Sequence, residues 1–282
     1  MTILEKISSG LTKLPTLPTI YASLSEALSD NKTNIEDLAK IISSDQASSI
    51  KILRVVNSSS FGLSGRVDTI SRAILYLGFN EIHNIVLALS IINMFEKKKI
   101  LQDFRPVDFW AHSIAVGTTA RLIGEALGVT KLENYFVAGI LHDIGKLLFF
   151  DLFPNEFEEA LIFSEKNKIP IIESETKIFG IGHDFAGELL ASRWNLPTSL
   201  KNTIAFHHSG FVNGRLDPLV MSVHLADVVA RFLNLGYPGD ELILQPNPAI
   251  FNNIDLPKNL FTNLQPRLMD SYKETIDLLL AD

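Results

Sequence analysis

Leu141-His142-Asp143-Ile144-Gly145-Lys146-Leu147 is the stretch on which the reading of this chain turns. A histidine and an aspartate stand side by side in an apolar segment that reads as buried helix. An imidazole and a carboxylate in a core are costly unless they pair or hold a metal. On a helix the two side chains diverge by about 100°, and one cation between those directions can be gripped by both. Gly145 leaves room on the next turn for a substrate or an ion to approach the backbone. Lys146, one turn after His142, is placed to meet a phosphate. Taken alone, the doublet reads more simply as a chance polar pair in a helix. The other histidines change that reading.

Moving outward, helical apolar spacing runs through almost the whole chain, and no stretch alternates as half-buried strands do. Leu14-Pro15-Thr16-Leu17-Pro18 reads as an extended entry. A helix with Ile20, Leu24 and Leu28 on one face follows. Asn34 and Asp45 are N-caps for the next two, and Asn57-Ser58-Ser59-Ser60 is a turn. A short helix from Thr69 stops at Gly78. A longer one, capped by Asn80, reaches Phe95, and Lys97-Lys98-Lys99 complements its negative end. Arg105-Pro106 marks a join between two helical lobes. The expectation is an all-α fold, with an N-terminal lobe over 1–105 and a helical bundle over 106–282. In the second lobe, helices are expected from Asp108 to Leu127, from Glu133 to Phe150, from Pro154 to Glu165, up to Trp194 with Asp184 as N-cap, from Pro197 to His207-His208, from Pro218 through His224 and Asp227, and from Leu264 to Leu280. Ser209 to Asp217 reads as a polar loop.

That second lobe sets His112, His142-Asp143, His183, His207-His208 and Asp227 on or beside five helices, each able to face one interior point. Neutral imidazole and carboxylate are the ligands of borderline divalent metals such as Fe, Mn, Zn or Co. Seven candidates suffice for one or two ions, with Asp143 able to bridge. Such metals acidify a bound water and hold a phosphate for in-line attack, with Asp143 and Lys146 as the candidate catalytic residues. Asp108, one turn before His112, is a partner for orienting it or an outer ligand. The competing reading is a set of histidines each satisfied separately. His83, with no acidic or histidine neighbour at helical spacing, reads as structural.

Composition narrows the class. The 282 residues are 46% hydrophobic and 20% charged, enough for a sizeable core. A net charge of −7 argues against a general coat for nucleic acid, although Lys51, Arg54, Arg66 and Arg72 can form a local basic face. Cysteine is absent, so disulfides and thiolate metal sites are excluded. Met1 to Lys6 lacks the apolar core of a signal peptide, and the run Ile85–Phe95 falls short of the roughly 20 residues that span a bilayer. A cytoplasmic location without membrane contact is expected.

The order His112, His142-Asp143, Asp227 resembles the metal-binding pattern of the HD superfamily of phosphohydrolases. His183 and His207-His208 resemble the second-metal ligands of its HD-GYP phosphodiesterase branch. The closer resemblance is to the HDOD family, the HD-related output domains of bacterial signalling, and it covers nearly the whole chain. In the first lobe it rests on Leu14-Pro15 to Pro18, Lys51-Ile52-Leu53-Arg54 with Asn57-Ser58 and Phe61-Gly62, and Ser71-Arg72-Ala73-Ile74 with Leu77-Gly78. In the second it rests on Phe109-Trp110-Ala111-His112-Ser113, the Leu141 to Leu147 stretch, His183 with Gly187, Trp194, Leu196 and Pro197, His207-His208, and His224-Leu225-Ala226-Asp227. HD-GYP enzymes follow their histidine pair with Glu-Arg and Gly-Tyr-Pro. Here Ser209-Gly210-Phe211 follows, and Gly236-Tyr237-Pro238 comes only after Asp227, a coincidental match. Many HDOD proteins have lost their metal ligands; this chain keeps a full-looking set, of which the four residues of the superfamily pattern are the firmer.

The resemblance implies a signalling output module that binds a protein partner or a nucleotide at the lobe interface or metal pocket. A metal-dependent phosphohydrolase or cyclic-nucleotide phosphodiesterase is the alternative. A nucleic-acid-binding regulator using the first lobe ranks third.

Overall fold

A computed structural model describes residues 16–280 except 31, 64, 96–100, 102–103 and 133. The Leu14-Pro15 part of the entry motif, the lysine run 97–99, the proposed helix start at Glu133 and much of the join near 100–106 lie outside the described residues. The helices are α1 (Thr19–Ser29), α2 (Ile35–Ser43), α3 (Gln46–Val56), α4 (Ile70–Phe95), α5 (Pro106–Ala126), α6 (Tyr135–Leu141), α7 (Ile144–Leu152), α8 (Pro154–Asn167), α9 (Ile171–Phe179), α10 (His183–Arg193), α11 (Thr198–Phe206), α12 (Pro218–Phe232), α13 (Pro248–Asn253) and α14 (Leu260–Leu279). A 3₁₀ turn occupies Ser59–Phe61. Among the described residues the only sheet is a two-stranded hairpin, β1 (Phe211–Val212) and β2 (Arg215–Leu216). The fold is all-α.

Local chemistry explains the starts and stops. Asn34 and Asp37 form a reciprocal capping box at α2. Asp45 accepts from the Ala47 amide at α3, and Asp217 from the Leu219 and Val220 amides at α12. Gly78, at φ 80° and ψ 166°, breaks α4 into two segments, because a residue with a Cβ is strained there. Asp184 is not the cap of α10. Gly182 precedes that helix, which begins at His183, and Asp184 accepts the Phe185 amide inside the first turn. The loop after His207-His208 closes as a hairpin over Asn213-Gly214, both at positive φ as a type I′ turn requires.

By length and composition α4 is able to cross a membrane, with a most-apolar window of mean hydropathy 1.4. Of that window 61% is buried in the fold, and the Gly78 break interrupts the helix, so its apolar length serves the core. Central α5 packs against α6, α12 and α14, while α10 packs against α7 and α11. Helix α14 also lies on α3 and the 3₁₀ turn. Glu274 accepts the Ser59 amide at 2.7 Å, and Ser271 and Thr275 meet Ser59 and Ser60 at 2.9 and 3.2 Å. Helix α14 therefore straps the 3₁₀ turn against α5. His83 stacks on Tyr21 with ring centroids 4.5 Å apart and bonds Ser25 at 2.9 Å, a structural histidine whose burial pushes its pKa down to about 4.

Candidate metal centre

The expected single helix over 133–150 is in fact two. Helix α6 stops at Leu141 and α7 starts at Ile144, with Asp143 at φ −97° and ψ 12° between them. The doublet thus sits on a corner, which brings both side chains to one interior point. The corner is set by packing. A methyl group at Gly145 would lie 1.9 Å from the His183 carbonyl oxygen and 2.7 Å from the Gly187 nitrogen, so only glycine lets α7 touch the start of α10. Gly145 therefore serves helix approach, not access by a substrate.

Around this corner the fold gathers all seven candidates. Asp143 Oδ1 lies 3.0 Å from His183 Nε2 and 3.5 Å from His207 Nε2; its Oδ2 lies 3.3 Å from His142 Nε2. His208 Nε2 is 3.0 Å from His183 Nε2. His112 Nε2 meets Asp227 Oδ1 at 2.9 Å. Three groups of donors, His183-His207-His208, His112-His142-Asp227 and His142-Asp143-His207, each lie within 4.8 Å of one another. All seven are buried except His208, which is half-buried.

The ring tautomers are set from outside. His142 Nδ1–H donates to the Gly139 carbonyl at 2.7 Å, and His207 Nδ1–H to that of Ile204 at 2.9 Å. A carbonyl only accepts, so in each neutral ring Nε2 keeps its lone pair. Both Nε2 atoms are buried without a hydrogen-bond partner and aim at Asp143. His183 is oriented likewise by Glu175, whose Oε2 accepts from its Nδ1–H at 2.6 Å and from its amide at 2.9 Å. At His142 and His207, orphaned lone pairs fixed by outer hydrogen bonds are the preparation a metal site needs. A tetrahedral ion sets its donors about 3.3–3.6 Å apart, close to the 3.0 and 3.5 Å that separate Asp143 from His183 and His207 and the 3.0 Å between His183 and His208. The cluster is able to hold a metal.

Two cations answer the two aspartates. Lys146 Nζ is 2.5 Å from Asp143 Oδ2 and fully buried, so its ammonium is turned inward and away from any phosphate in solvent. Arg231 Nε meets Asp227 Oδ1 and Oδ2 at 3.0 and 3.2 Å, and its Nη1 meets Asp240 Oδ1 at 2.7 Å. Burial would raise the Asp143 carboxyl, but His142, Lys146 and His183 outweigh it and hold the group well below the usual range. Burial acts on Asp227 in the same sense and is overcome by Arg231 and His112. Burial opposes charge on His183, yet Glu175 and Asp143 overcome it and push this ring up to about 9. Burial and the neighbouring rings His207 and His183 hold His208 well below 6.5.

A metal must displace the His183 proton. Uptake is therefore expected to strengthen about tenfold per pH unit up to pH 9, with about one proton released from this ring, as calorimetry in buffers of different ionisation enthalpy would read. A pH-independent affinity between 6 and 8 would contradict the arrangement.

Asp108 does not orient His112. Its carboxylate pairs with Arg105, three residues back, and its carbonyl accepts the Tyr237 amide. The Gly236-Tyr237-Pro238 segment, set aside as coincidence, docks on α5 here: a Cβ at Gly236 would stand 2.1 Å from the His112 nitrogen. His224 is spent structurally, donating to the His207 carbonyl at 2.8 Å and accepting the Asn247 amide at 2.9 Å. Sequence reading missed Glu175, Arg231 and Asp240. Arg231 was visible in principle, one turn after Asp227. Glu175, on the preceding helix, carries no such signal.

The HDOD domain family matches residues 14–210. An HDOD domain protein of unknown function from Geobacter sulfurreducens superposes with a TM-score of 0.80 at 26% identity, covering 99% of this chain and 97% of its own. A candidate phosphohydrolase from Shewanella amazonensis SB2B shares the fold at 21% identity, with a TM-score of 0.71 and coverage of 96% and 98%. An uncharacterized protein of Treponema pallidum (strain Nichols) is 26% identical over 238 residues, 84% of this chain and 46% of its own length. The chain thus spans about half the length of that relative, and 19% of a second, from Bacillus subtilis (strain 168). Asp227 and Arg231 lie beyond the segment that the family matches.

Proposed function

The chain belongs to the HDOD family, and on that premise we propose that it is a regulatory output module whose second lobe is organised by a buried divalent-metal centre. The observation that carries this reading is the burial of six of the seven donors, all but His208. His112, His142, Asp143, His183 and His207 are at most 1% exposed and Asp227 is 5% exposed. A phosphodiester reaches such donors only if the helices part. The cation best placed by sequence to greet it, Lys146, is committed to Asp143. Arg215 stands exposed on the hairpin and takes no part in the cluster.

His183, His207, His208 and Asp143 form one ligand set, and His112, His142 and Asp227 the remainder. The mixed imidazole and carboxylate donors suit one or two ions of Fe, Mn, Zn or Co. When bound, such an ion acidifies a coordinated water and polarises a phosphoryl oxygen. Glu175 holds the His183 tautomer, Lys146 balances Asp143, and the Gly139 and Ile204 carbonyls hold two further rings. The partner is a signalling protein or a nucleotide, met at the surface or lobe seam in the cytoplasm. Neither a membrane nor a nucleic-acid surface is part of this reading.

The second reading, a phosphohydrolase, is favoured by the completeness of the donor set. One experiment separates the two: metal analysis of protein purified without chelator, followed by assay of cyclic mono- and dinucleotides and a generic phosphodiester with each metal supplied. The expected result is bound metal with turnover below about 1 per second, the low end of ordinary enzymes. Faster turnover that disappears in Asp143→Ala would make the chain an enzyme first.

A further inference from the structure

Away from the donor cluster, α12, α13 and α14 enclose a cavity of about 420 Å³. Val229 and Phe232 of α12, Phe251 of α13, and Phe261 and Leu268 of α14 form its sides, and Thr119 of α5, 1% exposed, closes it toward the core. None of the residues lining it is charged, in a chain that is 20% charged. Phe232, Phe251 and Phe261 are 71, 50 and 40% exposed. Apolar side chains scattered singly over a surface need no explanation, but three phenylalanines round one concavity mark a place where something binds.

The remaining wall, residues 243–246, is pinned at both ends. Before it, the Leu242 carbonyl accepts from Arg231 Nη1 at 3.2 Å. After it, the Asn247 amide donates to His224 Nε2 at 2.9 Å, and the Asn247 side chain donates to the Ser209 carbonyl at 2.9 Å. Asn247 also caps α13 by accepting the Ala249 amide at 3.0 Å, which sets the helix that carries Phe251. A wall tied in this way stands before a ligand arrives, so little ordering entropy opposes binding. Polar groups in the lining are few. Gln245 and Gln265 bring amides, and Thr262 a hydroxyl. Pro266 stands inside α14 and has no N–H, so the Thr262 carbonyl lacks its helical donor and is an acceptor beside the cavity.

These features select the occupant. A carboxylate or phosphate would enter with no cation to meet it, at a high cost in lost hydration. Protein interfaces are enriched in Tyr, Trp and Arg, and none of these three lines the cavity. Small-molecule sites are concave, mainly apolar, about 300–1,000 Å³ in volume and furnished with a few polar groups. We propose that this cavity binds an uncharged, largely apolar small molecule carrying one hydrogen-bond donor. The apolar body lies among the phenylalanines, and the donor meets the Thr262 carbonyl or the side-chain oxygen of Gln245 or Gln265. The site goes beyond the metal-centre reading and does not depend on it, since it shares no residue with the seven metal-ligand candidates.

The test titrates the full chain with N-phenyl-1-naphthylamine, a neutral dye with apolar rings and a single N–H that fluoresces on leaving water. One saturable site of micromolar affinity is expected. As competitors, 1-octanol is expected to displace the dye at least about tenfold more effectively than octanoate, which has the same chain length and a charge. Val229→Trp fills the cavity and Phe251→Asp sets a charge in its side. Each is expected to weaken the dye by about tenfold or more, and the second, at a half-exposed position, serves if the first fails to fold. Leu75→Asp removes another exposed apolar side chain, on α4, and is expected to leave the affinity unchanged. The proposal is overturned by the absence of a saturable site, by equal displacement with octanoate, or by wild-type affinity in folded Phe251→Asp. A loss in Leu75→Asp as large as in Phe251→Asp also overturns it, because the dye then reports apolar surface in general. So does a dimer, seen by sedimentation at the titration concentration, that Phe251→Asp dissociates, for the face then belongs to a second copy of the chain.

Discussion

Asp143→Asn is expected to empty the metal centre and to destabilise the chain by about 3–5 kcal/mol. Two effects share one cause. The carboxylate bridges His183 and His207 through Oδ1 and reaches His142 and Lys146 through Oδ2. An amide keeps the shape but removes the charge that attracts an ion, and it sets an NH₂ against donors. Lys146, fully buried, then loses its counter-charge, which is the costly way to break a buried pair. In wild type the carboxyl stays ionised to well below the usual range, so its contribution is present above about pH 4 and lost only as pH falls through that depressed value. The gap between wild type and variant is therefore expected to persist from about pH 5 to 8. The double variant Asp143→Asn/Lys146→Met separates the effects: it should regain much of the stability and none of the metal. Elemental analysis and denaturant unfolding read the two. Unchanged metal content in the single variant would remove Asp143 from the site.

How much of this was legible beforehand depends on the range of the cause. Asn34 with Asp37, Asp45 and Gly78 act within three or four residues, and each ends or starts a helix where the sequence placed it. The corner at His142-Asp143 was not legible, because it contains no proline or glycine break of its own. It arises from Gly145 meeting the His183 carbonyl, a contact between segments 38 residues apart in number. Asp108 was misjudged for the opposite reason. Arg105, three residues away, takes the carboxylate locally before any distant histidine does. The seven ligand candidates converge because each lies on or beside an apolar helix packed into one bundle, and a buried imidazole or carboxylate is costly there without a partner. The groups that orient and neutralise them, Glu175 and Asp240, come from other elements and have no periodicity to betray them.

Arg121→Met is the second large effect expected, at about 3–5 kcal/mol, with the seam between the lobes as its target. Arg121 lies on α5 and is 7% exposed. It donates to Glu81 Oε1 on α4 at 3.0 Å, to the Ser60 carbonyl at 3.0 Å and to the Leu132 carbonyl at 3.2 Å, and its guanidinium lies 4.5 Å from the Phe61 ring centroid. Methionine fills the volume but withdraws the charge from Glu81, itself 2% exposed. The cost falls on contacts between first-lobe residues and the helix that carries His112, so the division proposed near residues 100–106 predicts how the loss appears. With that tie removed, denaturant unfolding is expected to become biphasic, because the first lobe melts while the second persists. Glu81→Met added to Arg121→Met should recover most of the stability, since an apolar pair replaces a buried charge pair at little cost. A single variant within about 1 kcal/mol of wild type, unfolding in one step, would show that the strap of α14 over Ser59 and Ser60 holds the lobes without the buried ion pair.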